Sequence, residues 1–264
     1  MKFLLIPLLL AAPVLADTTA DQAAAAWAQR DQEGQTEKAA QLWKQALKEN
    51  PEKTELWIHL TRALGRQVRR SENSSQRKKL AQEARDAGAQ AVAKNPQRAD
   101  AWAYHAESIG QWANQHKGPG SLKRVKQAVA ALQKALELDP HYAYAHMLLA
   151  EFYRQAPSVI SVGDKKKALE QARMAVRDGP AQAINHLVFA RALLDNGRRE
   201  EAILELRSIL ALPAPPDAGP ETHSDQATAR ALLRELGAVE AEPGAKTGTA
   251  VCSQESSGGN ACGH

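Results

Sequence analysis

The sequence predicts an all-α protein, built as a solenoid of about five helix pairs with a further helix that caps its C-terminal end. Two observations carry this prediction. The composition is rich in the strong helix formers Ala, Leu, Gln, Glu, Lys and Arg, and aromatic residues make up only 5% of the 264-residue chain. The chain also repeats one pattern of small, proline and ring-bearing residues four times, which is typical of stacked helical repeats.

Four prolines set the register of this repeat: Pro51, Pro96, Pro140 and Pro180. In each copy one alanine lies five residues before the proline and another lies twelve before it, and a flat ring lies six residues after it. The alanines are Ala39, Ala46, Ala84, Ala91, Ala128, Ala135, Ala168 and Ala175. The rings are Trp57, Trp102, His146 and His186. A small residue also follows each proline by ten residues, so the four copies agree at too many positions for chance.

This spacing describes a helix that ends at the proline and a second helix that follows it. Alanines seven residues apart are separated by two helical turns and share one face, where a methyl group lets another helix approach closely. The proline ends the helix because its ring pushes the preceding residue out of the α region. The ring six residues later starts the inward face of the next helix. Each unit is therefore a helix pair that buries its apolar face only by stacking on its neighbours.

The first copy, EKAAQLWKQALKENPEKTELW, resembles the tetratricopeptide repeat, with Ala39, Trp43, Ala46 and Pro51 in register. The resemblance covers residues 20–213 and implies a stack whose first helices line a concave groove. Successive prolines are 45, 44 and 40 residues apart, whereas the period of that family is about 34. We therefore expect a tetratricopeptide-like α-solenoid with longer than usual helices, whose middle units carry extra residues between their two helices.

The C-terminal end of the solenoid departs from the pattern. The last unit, around DNGRREEAILELRSILALP, has its turn at Gly197, and Ile209 replaces the second alanine. The segment SDQATARALLREL that follows is largely polar. It predicts a capping helix from Ser224 to Leu236, because a terminal repeat needs a polar outer face.

The long units narrow the resemblance to two families. The stretches VKQAVAALQKALELDPHYAYAHMLLAEFY and GDKKKALEQARMAV resemble the T component of tripartite ATP-independent periplasmic transporters and the regulator of microtubule dynamics family, both of which are long-helix tetratricopeptide-like proteins. The first resemblance implies an accessory that holds an apolar solute in the helix stack or at a subunit interface.

The chain divides into three expected segments. Residues 1–16, MKFLLIPLLLAAPVLA, combine a lysine, an apolar run and small residues at the end, which predicts a signal peptide cleaved before Asp17. A retained membrane anchor is the alternative, although the apolar run is short for a membrane span. Residues 17–237 form the helical repeat domain. No later stretch is apolar enough to cross a bilayer, so the mature protein is expected to be exported, periplasmic or secreted, without a transmembrane span.

The third segment, residues 238–264, is rich in Gly and Ser and is expected to be a disordered tail. It holds both cysteines of the chain, Cys252 and Cys262. An oxidising compartment favours an intramolecular disulfide between them. Free or intermolecular thiols and a thiol–imidazole metal site with His264 remain alternatives.

Composition and motifs exclude several classes of function. Lys and Arg number 34 against 30 Asp and Glu, a net charge of +4 with both signs interspersed, which argues against a nucleic-acid partner. The chain has no glycine-rich phosphate loop, no paired metal-binding histidines and no nucleophile elbow, so we expect neither an enzyme nor a cofactor or metal. His146 and His186 are interpreted as packing residues. The basic stretch Arg66–Lys79 is interpreted as a solvated helix end and loop.

The groove is then the candidate binding surface. Its wall should be formed by the first helix of each pair, and mixed Tyr, Met and Arg side chains suit a protein or peptide partner. Placed by register, the candidate residues are Arg62, Tyr104, Glu107, Tyr144, Met147, Glu151, Leu187 and Arg191. The sequence therefore predicts a non-enzymatic scaffold that binds a protein or peptide in the cell envelope. An accessory that binds an apolar solute is the alternative, and assembly into a homo-oligomer is left open.

Overall fold

The computed structural model describes residues 18–116, 118–158, 161–214 and 219–238, which contain helices but no strand. The helices are α1 (Thr19–Ala28), α2 (Gln35–Glu49), α3 (Thr54–Arg70), α4 (Ser74–Lys94), α5 (Ala99–Gln115), α6 (Pro119–Leu138), α7 (Ala143–Gln155), α8 (Lys165–Asp178), α9 (Ala183–Asp195), α10 (Arg199–Ala211) and α11 (Gly219–Glu235). The first ten pack as five successive pairs, and each pair packs on the next. The all-α solenoid expected from the sequence is confirmed.

Side chains before several helices satisfy the backbone N–H groups that the first turn leaves unpaired. Thr18 and Asp21 form a capping box at the start of α1, in which each side chain accepts from the backbone N–H of the other. Asn73 caps α4, and Asp164 caps α8 by accepting from two backbone N–H groups. These short polar residues therefore fix where the helices begin.

The prolines and two glycines fix the turns. The helices α2, α4, α6 and α8 each end two residues before one of the four register prolines. In the first and last pairs the turn instead contains a glycine with positive φ, Gly34 and Gly197, both at 74°, a backbone conformation that side chains with a Cβ disfavour.

The alanine register places the core. All eight register alanines are at most 2% exposed, so each methyl group lies where two helices meet. Larger side chains fill the remaining space, among them Trp43, Leu64, Leu132 and Leu206. The resulting clusters follow one another along the stack, as expected for repeats that bury their apolar faces on their neighbours.

The ring residues tie one repeat to the next. Each donates a ring N–H to the carbonyl oxygen of the proline six residues earlier, with donor–acceptor distances of 2.8 Å for Trp57, 2.8 Å for Trp102, 3.1 Å for His146 and 2.7 Å for His186. A tryptophan Nε1 and a histidine Nε2 thus perform the same task. Because the proline follows one helix and the ring lies in the next, this bond links the end of one pair to the start of the following pair.

The extra residues of the long repeats are used in two ways. In the second and third pairs they lengthen the helices, which have 17 to 21 residues in α3 to α6 but only 13 or 14 in α7 to α10. In the fourth pair they lie instead between the end of α7 at Gln155 and the start of α8 at Lys165. The expectation that every middle unit would place them between its helices is therefore corrected.

The capping helix α11 begins at Gly219, five residues before the predicted Ser224. Pro220 does not prevent this, because proline is tolerated in the first turn of a helix. The second half of α11 packs on α9 and α10, where Ala229 and Leu233 join the cluster of Leu206 and Ile209.

Among the described residues, no helix has both the length and the apolar content of a membrane span. The predicted signal peptide lies outside the described residues, and so do the tail beyond residue 238 and its two cysteines, Cys252 and Cys262.

Candidate functional site

The first helices of successive pairs form one wall. Contacts run from α3 to α5, from α5 to α7 and from α7 to α9, in addition to the contacts of each with its own partner helix. Helices on this side are therefore closely spaced, which makes it the concave side of the stack, as the tetratricopeptide resemblance implied. The polar and aromatic side chains that follow all belong to this side.

Arg62 on α3 lies between two aromatic rings. Its guanidinium carbon is 5.2 Å from the ring centroid of Trp27 on α1 and 5.3 Å from that of Tyr104 on α5, which are cation–π distances. The side chain is half-buried, and within the described part of the chain it forms no ion pair. The rings therefore hold a guanidinium in place while its N–H donors are left without a carboxylate.

A tyrosine cluster continues the wall toward the C-terminal repeats. The ring centroid of Tyr144 on α7 is 5.0 Å from that of Tyr104 and 6.3 Å from that of Tyr142. The Tyr144 hydroxyl donates a hydrogen bond of 2.8 Å to Glu107. Burial raises the pKa of Tyr144 and, to a lesser degree, that of Tyr104. Both phenols therefore remain neutral at physiological pH.

Glu107 on α5 joins this cluster to the basic end of α3. Its second carboxylate oxygen accepts from Arg69 at 2.5 Å and from Gln111 at 3.0 Å. Three donors thus converge on one carboxylate, and they come from α3, α5 and α7. This arrangement fixes the side chains of three neighbouring helices before any partner binds.

A second carboxylate, Glu221 of α11, is bound by two arginines. Arg30, in the turn after α1, donates to both oxygens of Glu221 at 2.9 and 2.6 Å, and Arg66 on α3 also contacts it. Arg30 is only 3% exposed. Burial opposes a charge on Glu221, but the hydrogen bond from Arg30 and the charge of Arg66 outweigh it, so the pKa of Glu221 is lowered. The last helix among the described residues, α11, is therefore bound to the first two pairs through Arg30 and Arg66.

The eight residues predicted for the groove separate into three groups. Arg62, Tyr104, Glu107 and Tyr144 come together in the cluster just described. Glu151 and Arg191 are half-buried elsewhere on the same row of helices; the carboxylate of Glu151 accepts from Arg154, and the charge of Arg191 acts on Asp225 of α11.

Met147 and Leu187 lie in the core instead, at 6% and 2% exposure. Met147 packs with Ala172 and Val188, and Leu187 packs in the cluster of α9, α10 and α11. Their placement on the groove surface is therefore corrected. At these register positions the apolar side chains of Met147 and Leu187 pack between helices, where they are shielded from water.

Sequence reasoning missed Trp27, Arg30 and Glu221, and it assigned Arg66 to a solvated segment. The side chain of Arg66 is only 13% exposed, so that interpretation is wrong for this residue. The sequence did contain one indication of a basic surface here, because the arginines at positions 62, 66, 69 and 70 share one face of a helix. Among the described residues, no three His, Cys, Asp or Glu side chains are grouped as a metal site requires.

Known proteins resemble this chain in three kinds of comparison: with family models, with solved structures and with curated sequences. The family model described as "Regulator of microtubule dynamics protein 1-3" matches residues 20–161. The crystal structure of TTC0263, a thermophilic TPR protein of Thermus thermophilus, superposes with a TM-score of 0.60 at 21% identity, covering 78% of this chain and 95% of that one. Tetratricopeptide repeat protein 21A of Mus musculus is 32% identical over 89 residues, 34% of this chain.

The mouse match covers only 6% of that protein, so the chain spans a small part of the curated relative that it resembles. The crystal structure supports the tetratricopeptide fold. The resemblance to the T component of periplasmic transporters is not confirmed by these comparisons.

Proposed function

The chain belongs to the regulator of microtubule dynamics protein 1-3 family, and we propose that it is a non-enzymatic scaffold that holds a protein or peptide partner in its concave groove. The tetratricopeptide-like fold supports this proposal, because stacked helix pairs create an extended concave surface.

One observation carries the proposal, namely the guanidinium of Arg62 between the rings of Trp27 and Tyr104. Arginine and large aromatic residues dominate the binding energy of protein interfaces. A guanidinium held by two rings loses little conformational freedom when it binds, so its donors are preorganised for a carboxylate or a backbone carbonyl of the partner.

The surrounding hydrogen bonds support the same role. Glu107 is occupied by Arg69 and Tyr144, so its charge is satisfied within the wall and does not compete for Arg62. The partner that fits this surface has an acidic or carbonyl-rich segment for Arg62 and an apolar side chain that packs beside Trp27 or Tyr104.

Export to the cell envelope is part of the proposal. It is supported by the leader-like composition of residues 1–16. N-terminal sequencing of the protein recovered from the envelope tests it: we expect the mature chain to begin at Asp17, and recovery with Met1 in place would contradict export through cleavage.

The groove is tested with the substitution Arg62→Glu. The reversed charge repels a carboxylate and leaves the repeat alanines untouched, so we expect the variant to lose the partners that the wild-type protein captures from an envelope extract. Measurement is by affinity capture with quantitative mass spectrometry, and by circular dichroism for the fold.

Arg173→Glu is the matched control. Arg173 is an exposed arginine on α8, and its charge reversal should leave capture unchanged. Equal recovery with wild type and both variants would show that the partner does not bind at Arg62.

A further inference from the structure

The concave side is not open along its whole length, because α11 extends to it from the C-terminal end. The second half of α11 packs against α9 and α10 through Ala229 and Leu233. The first half reaches α3 and the turn after α1, where Glu221 meets Arg66 and Arg30. A helix attached at the last repeat thus reaches side chains of the first two pairs through Glu221.

The face that α11 turns toward the wall is acidic, and the wall opposite is basic. Glu221 and Asp225 are four residues apart, so they share one helical face. Glu221 is bound by Arg30 and Arg66. Burial raises the pKa of Asp225 to about 6, and the charge of Arg191 on α9 acts in the opposite direction by favouring the ionised carboxylate. The three arginines come from three separate elements of the solenoid, so the stack itself assembles the basic surface.

The two halves of α11 are held by different forces. Its buried apolar side chains, among those described, are Ala229 and Leu233 in the second half. The first half is held by the ion pairs of Glu221 and, further along, by hydrogen bonds from the Gln226 amide to the carbonyl oxygens of Ile209 and Leu212 at 3.3 and 3.0 Å. Another carboxylate-bearing segment can replace the ion pairs of Glu221 with Arg30 and Arg66, whereas replacing the apolar anchor would expose the core.

We propose that the surface of Arg30, Arg66 and Arg191 is a docking site for an acidic helical peptide that presents two carboxylates one turn apart, and that the first half of α11 is its internal occupant. The inference rests on the proposed function, because it specifies the partner of the same groove. The partner binds after the first half of α11 has moved aside, while the second half keeps its place on α9 and α10.

Competition of this kind has a measurable consequence. A partner that binds only the open form has its apparent affinity reduced by the fraction of molecules that are open. A change that weakens the hold on α11 without altering the arginines must therefore tighten binding of an added acidic helix.

The test uses a fluorescent synthetic peptide that copies residues 219–236, the helix itself, added to the full signal-processed chain. We compare wild type with Glu221→Gln, which keeps the shape of the side chain but removes its charge. We expect the variant to bind the peptide about tenfold more tightly, the gain when the open fraction rises by that factor. Anisotropy titration measures the dissociation constant.

Two controls isolate the charge. Glu201→Gln removes the carboxylate of an exposed ion pair with Arg198 on α10 and should leave peptide binding at the wild-type level. A peptide with Glu221→Gln and Asp225→Asn should bind neither protein. If this neutral peptide binds as well as the acidic one, or if Glu221→Gln changes affinity no more than Glu201→Gln, the docking site is wrong.

A measurement on the wild-type chain covers the case in which Glu221→Gln does not fold. Added acidic peptide should accelerate hydrogen exchange at the amides of residues 221–227 and leave those of residues 230–235 unchanged. No acceleration at a saturating peptide concentration would overturn the proposal. Failure here is distinguishable from failure of the scaffold function: if Arg62→Glu abolishes partner capture while these tests fail, the groove binds its partner without displacing α11.

Discussion

His186 is a buried ring whose two nitrogens both face acceptors. Nε2 donates to the carbonyl oxygen of Pro180 at 2.7 Å, and Nδ1 lies 2.5 Å from a carboxylate oxygen of Glu205. Only the doubly protonated ring satisfies both. Burial would lower the pKa of His186, but the hydrogen bonds to Glu205 and Pro180 outweigh burial and raise it above 6.5.

This histidine makes stability depend on pH. Its folded-state pKa exceeds the unfolded value, so its contribution is full below pH 6.5 and is lost as the pH rises through the folded-state pKa. We expect Glu205→Gln to reduce stability by roughly 1 kcal/mol at pH 6, allowing for partial exposure, and by much less at pH 9. Thermal melts across this range measure the difference.

Glu201→Gln on the same helix is the control, because Glu201 pairs with an arginine that keeps its charge throughout. A Glu205→Gln effect that stays constant from pH 6 to pH 9 would show that His186 does not titrate in this window.

At the scale of the element, the packing of α4 on α5 explains why α4 contains Gly88, although glycine is a poor helix former. A Cβ on Gly88 would lie 2.9 Å from the Cα of His105 on α5 and 3.0 Å from the Ser108 hydroxyl. The nearest atom is the Cα of His105, and a backbone atom cannot move aside by a side-chain rotation. The close approach of α4 and α5 thus depends on the missing side chain.

Gly88→Ala should therefore destabilise the protein, although alanine is the better helix former. We expect a loss of about 1–3 kcal/mol, the usual cost of overpacking, measured by urea denaturation. Gly120→Ala on α6 provides the comparison, since a Cβ there meets nothing within 4 Å. It should leave stability unchanged or raise it by up to about 1 kcal/mol. Equal effects of the two substitutions would contradict the close packing of α4 on α5.

The elements were predictable because their signals are local. The alanines, prolines and rings repeat within each unit, so helices α2 to α10 could be placed from sequence. Met147 and Leu187 were misplaced because a register fixes the angular position of a residue only approximately, and the packing of the next helix decides whether it faces the groove or the core. The extra residues of α3 to α6 were assigned to connections, but their helix propensity continues the helices instead.

At the scale of the whole molecule, no pattern in the sequence indicated that the first pair of helices and α11 meet. Arg30 and Glu221 are separated by 191 residues, and a repeat pattern describes only the relation of each unit to its neighbours. Trp27 was missed for a related reason, since α1 precedes the first proline and lies outside the register. Its place over Arg62 depends on how the first pair packs on the second, whereas the meeting of Arg30 and Glu221 depends on the superhelical path, which accumulates from small rotations between repeats.

The ion pair between Arg30 and Glu221 joins parts of the chain that are synthesised at different times. Repeats that contact only their neighbours can fold before the rest of the chain exists, and synthesis delivers the N-terminal repeats first. Arg30 and Arg66 therefore lie in repeats that emerge, and can fold, before α11 is available. An acidic segment present during this interval would meet the arginines without competition from α11, and α11 would then have to displace it.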